Sequence, residues 1–220
     1  MSVPTADADR TAGISPEEYR HALRRHAAGV VIVTLNGRHG PVGFTATSLA
    51  SLSLAPPLVS FAVAAAASSF PAMQESDSVL VHVLGDHQRE LARRFATSGI
   101  DRFAEPTNWS PLATGEPMLH GTPTWLRCTV EQRIPLGDHV LVVAVVQQAH
   151  VCTTVAPLLY HDGTYHRLGT LDGEPLRRET EQPPDCVTGD AGYPCQDGGC
   201  RTGSTTALLS PSDGPTAADR

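Results

Sequence analysis

The densest run of small, hydroxylated residues in this chain is Gly43-Phe44-Thr45-Ala46-Thr47-Ser48-Leu49-Ala50-Ser51-Leu52-Ser53. Small side chains let a ligand approach the backbone closely, and hydroxyls offer donors to an anion or to the polar edge of a heteroaromatic ring. Taken alone, the run fits a turn or a half-exposed strand at least as well. A second patch, Ala64-Ala65-Ala66-Ala67-Ser68-Ser69-Phe70-Pro71, follows a strand and precedes a short helix expected around Ala72 to Gln74. There Ser68 or Ser69 suits an ordinary N-cap, while free amides at the helix start could hold a phosphate. Gly137-Asp138-His139 opens a long apolar strand. A histidine at a strand edge after a turn can point into a pocket, but it is one of ten, and nothing local marks it as catalytic.

Other chemistries find little support. No Gly-x-Gly-x-x-Gly follows a strand, no Walker-type loop is present, and no nucleophile elbow occurs. Cys186, Cys195 and Cys200 are spaced unlike the close pairs of structural zinc sites and lack an obvious fourth ligand, so no metal is expected. A formal net charge of -7 over 220 residues, with no cluster of Lys and Arg, argues against a nucleic-acid partner. No run of about 18 uncharged apolar residues exists, and the first residues lack the basic-then-apolar pattern of a signal peptide. A cytoplasmic protein with reduced thiols is the expectation.

Composition divides the chain into a flexible leader (1–14), a folded domain (15–170) and a Gly-, Pro-, Ser- and Asp-rich tail (171–220) carrying three cysteines. The tail has too little apolar surface to offset its ordering entropy and is expected to be disordered. Ser15-Pro16-Glu17-Glu18 predicts a capped helix start, with Gly29 ending that helix. Strands are expected at 30–35, 58–63, 79–84, 125–134, 139–151, 158–161 and 165–168, and a short helix within 88–96. Asn36-Gly37 and Asp162-Gly163 predict tight hairpins, the first returning along 41–47. Many short strands with few helices favour a mainly β fold, an antiparallel barrel with helices at its rim. The unbroken apolar run 140–146 points to burial on both faces, as at a dimer interface.

In order and spacing, these stretches resemble the flavin reductase family with the FMN-binding split-barrel fold, the reductase components of two-component flavin-dependent monooxygenases. The resemblance spans roughly residues 16–168. It rests on Gly29-Val30-Val31-Ile32-Val33-Thr34, on Gly43 to Ser48 with Ser51-Leu52-Ser53 and Pro56-Pro57-Leu58-Val59, on Asp101-Arg102-Phe103, and on Gly137-Asp138-His139 followed by a valine-rich strand and Pro157-Leu158-Leu159-Tyr160. It implies that Phe44, Thr45, Ala46, Thr47 and Ser48 line the isoalloxazine ring of FMN or FAD. It further implies that Ala50, Ser51, Ser68 and Ser69 approach the ribityl chain and phosphate. Phe95, Ala96, Arg102 and Phe103 align with further flavin-contacting or pocket-closing positions, and His139 with a residue orienting the nicotinamide. A homodimer is implied as well. The chain departs from the pattern at Ala64 to Ala67, where a polar or basic residue often stands near the phosphate. The tail after about Leu168 has no counterpart.

The implied activity is hydride transfer from NADH or NADPH to the flavin, with reduced flavin passed to a separate monooxygenase. The absence of an Arg cluster for a 2′-phosphate favours NADH over NADPH slightly. Two other readings keep the flavin and change what is done with it. One is a flavoprotein holding FMN tightly and acting directly on an organic substrate, and the other is a flavin-binding module without turnover.

Overall fold

A computed structural model describes residues 13–152 and 155–169. The expected tail, its three cysteines and all of the leader except Gly13 and Ile14 lie outside the described residues.

Helix α1 (Pro16–Leu23) begins as its sequence predicts. Ser15 Oγ accepts from Glu18 N at 3.2 Å, and Glu18 Oε2 accepts from Ser15 N at 2.9 Å, closing the capping box. The helix stops at Leu23, not at Gly29. Ala28–Gly29 is itself a short strand, β1, paired with Tyr160 and Leu159, so tertiary pairing draws this segment out of the helix.

Seven strands form one antiparallel sheet: β2 (Val31–Gly37), β3 (Gly40–Ala46), β4 (Ala50–Leu54), β5 (Pro57–Ala64), β6 (Ser78–Val83), β9 (Thr124–Leu136) and β10 (His139–Val151). Their spatial order is β3-β2-β6-β9-β10-β5-β4. The two edges, β3 and β4, are consecutive in sequence. Ser48, between them, accepts from Ala62 N of β5 at 2.9 Å, so the sheet curls until its ends meet through a loop instead of a ladder. This is the mainly β, antiparallel barrel expected from the sequence.

Alternation along the strands explains the closure. Val31, Val33 and Leu35 of β2 face inward with Val79 and Val81 of β6, Phe61 and Val63 of β5, and Val140, Val142 and Ala144 of β10. Fully burying such a side chain stabilises by about 1.5–3 kcal/mol. The opposite face of β2 is buried too: Val30, flanking the strand, and Ile32 pack beneath helix α3 (Arg89–Ala96) with Leu84, Ala92, Phe95, Phe103 and Leu158. Burial on two sides is why this stretch reads as unbroken β-branched residues instead of an alternation.

A short 3-10 turn (Asp86–Gln88) leads into α3. The hairpin β7 (Trp109–Pro111) and β8 (Pro117–Leu119) covers Leu80 of β6 through Leu112 and Met118. β11 (Leu158–His161) and β12 (Thr164–Arg167) form a three-stranded sheet with β1. Their turn is the one Asp162-Gly163 predicts, with φ of 46° and 82°.

The first hairpin differs from its prediction. Asn36 and Gly37 pair within the ladder, opposite Pro41 and Gly40, and the turn is Arg38-His39. Gly40, at φ 122°, absorbs the left-handed conformation. Gly37 is there for room: a Cβ would stand 2.9 Å from Val42 Cγ2 and 3.3 Å from Ala72 Cβ of helix α2 (Phe70–Glu75).

Candidate functional site

The Gly43–Ser48 block divides by side-chain direction. Phe44 and Ala46 turn into the barrel, Phe44 with its ring 6.3 Å from that of Phe61. Gly43 and Thr45 face outward beneath α3: Thr45 Oγ1 donates to Ala92 O at 2.7 Å, and a Cβ on Gly43 would fall 2.6 Å from Phe95 Cε1. Thr47 and Ser48 then emerge, both exposed, in a link that belongs to neither ladder. Ala50 and Ser51 are exposed at the start of edge strand β4.

Strand β5 connects this link to the other candidates. Ala62 N donates to Ser48 Oγ on one side, while Ala62 pairs with Leu141 and Ala64 with His139 on the other. With strands about 4.8 Å apart and a rise of about 3.4 Å per residue, Ser48 and His139 lie on the order of 12 Å apart across one strip of sheet. The chain leaves β5 through Ala65 to Ser69, and Ala65 N donates to Asp138 O at 2.9 Å, bringing this loop against the β9–β10 turn. Thr47, Ser48, Ser68 and His139 therefore share one rim of the barrel. Ser69 is the N-cap of α2, but its side chain makes no cap bond and the whole residue is 1% exposed, so it sits behind the loop surface instead of on it.

Among the described residues the His139 ring has one hydrogen-bond partner, Asp138 Oδ1, at 2.8 Å from Nδ1. A carboxylate only accepts, so Nδ1 carries the hydrogen and Nε2 of the neutral ring is an acceptor. Its hydrogen bond, and its charge when the ring is protonated, hold the Asp138 carboxyl below its ordinary range.

Three of the expected contacts sit deeper than the resemblance implies. Phe95 is fully buried, and Phe103 is 9% exposed. Their rings meet edge to face at 5.2 Å, and Phe103 meets Trp109 in the same way. These phenyl groups build the second core, because amphipathic α3 has to bury one face and Gly43 makes room for the ring. Arg102 is part-buried: Nη1 donates to Gly43 O at 3.0 Å and Nε to Thr97 O at 3.0 Å. Burial lowers its pKa. Ala96 alone of this group is exposed.

Sequence inspection missed the residues that hold these segments. Arg94 binds the carbonyls of the 101–105 turn. Arg133 of β9 donates from Nε to Met73 O at 2.8 Å and from Nη2 to Ser76 O, capping the end of α2. Only Asp101, two residues before Phe103, carried a local signal, that of a side chain accepting from backbone two residues on. Among the described residues, no group of three or more His, Cys, Asp or Glu could hold a metal ion.

An antiparallel barrel with a rim of small, hydroxylated side chains and one oriented imidazole defines a class of small-ligand proteins whose site is made by loops between strands. Comparison with known proteins narrows the class. The flavin reductase like domain matches residues 23–169, and the chain belongs to that family. It is 52% identical over 166 residues to the NADH:FMN oxidoreductase of Rhodococcus qingshengii, covering 74% of this chain and 86% of that protein. To the reductase subunit HsaB of a flavin-dependent monooxygenase from Mycobacterium tuberculosis it is 33% identical over 157 residues, covering 70% and 83%. Among solved structures, the NADH:FAD oxidoreductase SgcE6 of Streptomyces globisporus C-1027, in complex with NAD and FAD fragments, matches with a TM-score of 0.67 at 28% identity, covering 74% of this chain and 99% of that one.

Proposed function

We propose that this chain is an NAD(P)H:flavin oxidoreductase that reduces FMN or FAD and releases the product to a separate monooxygenase. The observation that carries this reading is the 52% identity to an NADH:FMN oxidoreductase, which spans almost the whole domain. The residues present fit a flavin. Thr47-Ser48-Leu49 offers backbone outside the strand ladders, exposed hydroxyl-bearing residues flank it, and the rim extends to His139.

Hydride passes from nicotinamide C4 to flavin N5, chemistry that belongs to the two cofactors and requires no acid or base from the protein at that step. The protein has to stack the rings and exclude water. In this reading Thr47 and Ser48 meet the polar edge of the ring, with Phe44, Thr45 and Ala46 contributing backbone. Ala50, Ser51 and Ser68 approach the ribityl chain and phosphate, with Ser69 buried behind them. Arg102 and Ala96 close the pocket, whereas Phe95 and Phe103 support it from within the core. His139 Nε2, left as an acceptor by Asp138, takes an N–H from the nicotinamide carboxamide.

The folded unit is proposed to be residues 15–170, acting in the cytoplasm as a homodimer. What supports the dimer is the outer face of β10, where Leu141, Val143 and Val145 stay half-buried, flanked on β9 by exposed Ile134 and Leu136. Among the described residues no helix is long and apolar enough to cross a membrane.

Steady-state oxidation of NADH and NADPH with FMN, FAD and riboflavin supplied in turn tests the function. Turnover that depends on added flavin is expected. A protein that neither quenches flavin fluorescence nor oxidises either nucleotide overturns it, and tightly co-purifying FMN with little reduction of added flavin would replace it with the prosthetic-group reading.

A further inference from the structure

Of the side chains that hold the turn carrying Arg102, Arg94 makes the most hydrogen bonds. Arg94, in the last turn of α3, donates from Nε to Arg102 O at 3.1 Å. Its Nη2 donates to Asp101 O and Ala104 O at 2.9 Å and lies 3.3 Å from Glu105 O. Four carbonyls from five consecutive residues converge on one guanidinium. The amides of the same turn are held from the other side, with Asp101 Oδ1 accepting from Phe103 N at 2.9 Å and Ala104 N at 3.2 Å. Thr107 Oγ1 also donates to Arg102 O at 2.7 Å, and Trp109 Nε1 to Phe103 O at 3.0 Å.

The turn places Arg102 against the site strand. Its Nη1 reaches Gly43 O, one residue before Phe44, and its Nε reaches Thr97 O. Nη2 has no protein partner among the described residues. A planar fork is suited to fixing a turn in this way; an ammonium group is a point donor and cannot span carbonyls spread over five residues. Helix α3 is separately fastened to β3 by Thr45 on Ala92 O and by Phe95 packed over Gly43. Loss of Arg94 should therefore loosen the turn without unseating the helix.

We propose that Arg94 is a positioning residue for flavin reduction: it builds the 101–105 turn so that Arg102 is held on Gly43 O with Nη2 directed to an oxygen of the flavin. The inference rests on the reading that β3 and the Thr47-Ser48 link line the flavin site. It also answers the missing base in Ala64 to Ala67, since the cation is supplied by a different loop.

The test compares Arg94→Ala, Arg94→Lys and the unaltered full-length chain in FMN reduction by NADH and in FMN fluorescence quenching. For both variants the KM and Kd for FMN should rise about tenfold, as expected when a positioning group is lost. At saturating FMN, kcat should stay within about twofold, because binding and not the hydride step is affected. Millimolar guanidinium, below denaturing levels, should restore the FMN KM of Arg94→Ala, and ammonium at matched ionic strength should not. An unchanged FMN KM in Arg94→Ala, equal rescue by ammonium, or full recovery in Arg94→Lys would overturn the proposal. If Arg94→Ala does not fold, the KM split in Arg94→Lys decides. Thr47→Val and Ser48→Ala separate the two claims. Should both leave the FMN KM unchanged, the site itself is misplaced; should they raise it while Arg94 variants do not, only the role of Arg94 falls.

Discussion

Acidification should destabilise this protein through His82, a residue with no part in the proposed chemistry. His82 lies in β6 between Ile32 and Trp125 and is fully buried under the β7–β8 hairpin. Thr34 Oγ1 has one hydrogen and gives it to Pro117 O at 2.5 Å. It must then accept from His82 Nε2, 3.1 Å away, which leaves Nδ1 as a bare acceptor with no partner. A second proton would put an unpaired charge in the core, and burial accordingly pulls the pKa from 6.5 down to about 3, against a smaller upward pull from the Pro117 carbonyl.

The sign follows from proton counting. Below pH 6.5 the unfolded chain binds a proton at this position that the folded chain refuses, so stability is complete above 6.5 and falls as pH drops toward 3. At about 1.4 kcal/mol per pH unit, the loss reaches about 3 kcal/mol at pH 4.5 and about 4–5 kcal/mol near pH 3, a large share of a typical stability of roughly 5–15 kcal/mol. Urea unfolding of the wild type and of His82→Gln across this range isolates the effect. The glutamine amide can still donate to Thr34, but it does not titrate. Carboxylates common to both proteins cancel in the difference, so the variant, less stable at pH 7, should gain on the wild type by about 3 kcal/mol at pH 4.5. Two stability curves that run parallel from pH 7 to pH 4.5 would refute the reasoning.

His139→Ala should weaken NADH use while FMN still quenches normally; stopped-flow reduction with unchanged Kd and rate would remove the histidine from the nicotinamide site. Gly43→Ala should cost about 1–3 kcal/mol in urea unfolding, because the new methyl falls 2.6 Å from a ring carbon of Phe95 that core packing prevents from moving. Deleting residues 171–220 should leave flavin-dependent NADH oxidation intact, since the family match ends at residue 169; loss of turnover would give the tail a catalytic role.

Much of the fold was legible because the same residues set both local and global structure. Ser15 and Glu18 encode a cap that forms as written, and Asp162-Gly163 forms its turn. The first hairpin slipped because Asn36-Gly37 has a competing use: the glycine is needed where α2 crosses the strand, and Gly40 takes over the turn conformation. Strand β4 hid in a serine-rich stretch whose composition equally fits a loop. At the site, the resemblance nominated Thr47, Ser48 and His139 along with four positions near α3, but order along the chain could not separate exposed positions from core-facing aromatics. Phe95 and Phe103 belong to the core because of a glycine some fifty residues away, and no local pattern records that. Arg94 and Arg133 escaped for the same reason: each acts through backbone carbonyls that have no sequence signature.

The distribution of polar groups bears on why a flavin should come and go. Thr45 is tied to Ala92 O, Ser48 to Ala62, and Arg102 to Gly43 O and Thr97 O, so much of the hydrogen-bonding capacity near the rim already serves the scaffold. What is left for a ligand is mainly backbone, exposed small side chains and the remaining donors of one guanidinium. Neutral hydrogen bonds contribute only about 0.5–1.5 kcal/mol each after exchange with water, whereas those to charged groups reach about 1.5–3. With Ala64 to Ala67 offering no cation, the charged contribution to flavin binding is reduced to the donors that Arg102 does not already spend on Gly43 O and Thr97 O. The bonds that stiffen the rim still act during hydride transfer, because rigid placement lowers the barrier whether or not the ligand is held for long. Fast release and well-ordered stacking are compatible in such a site, and that combination is what a reductase serving a second enzyme requires.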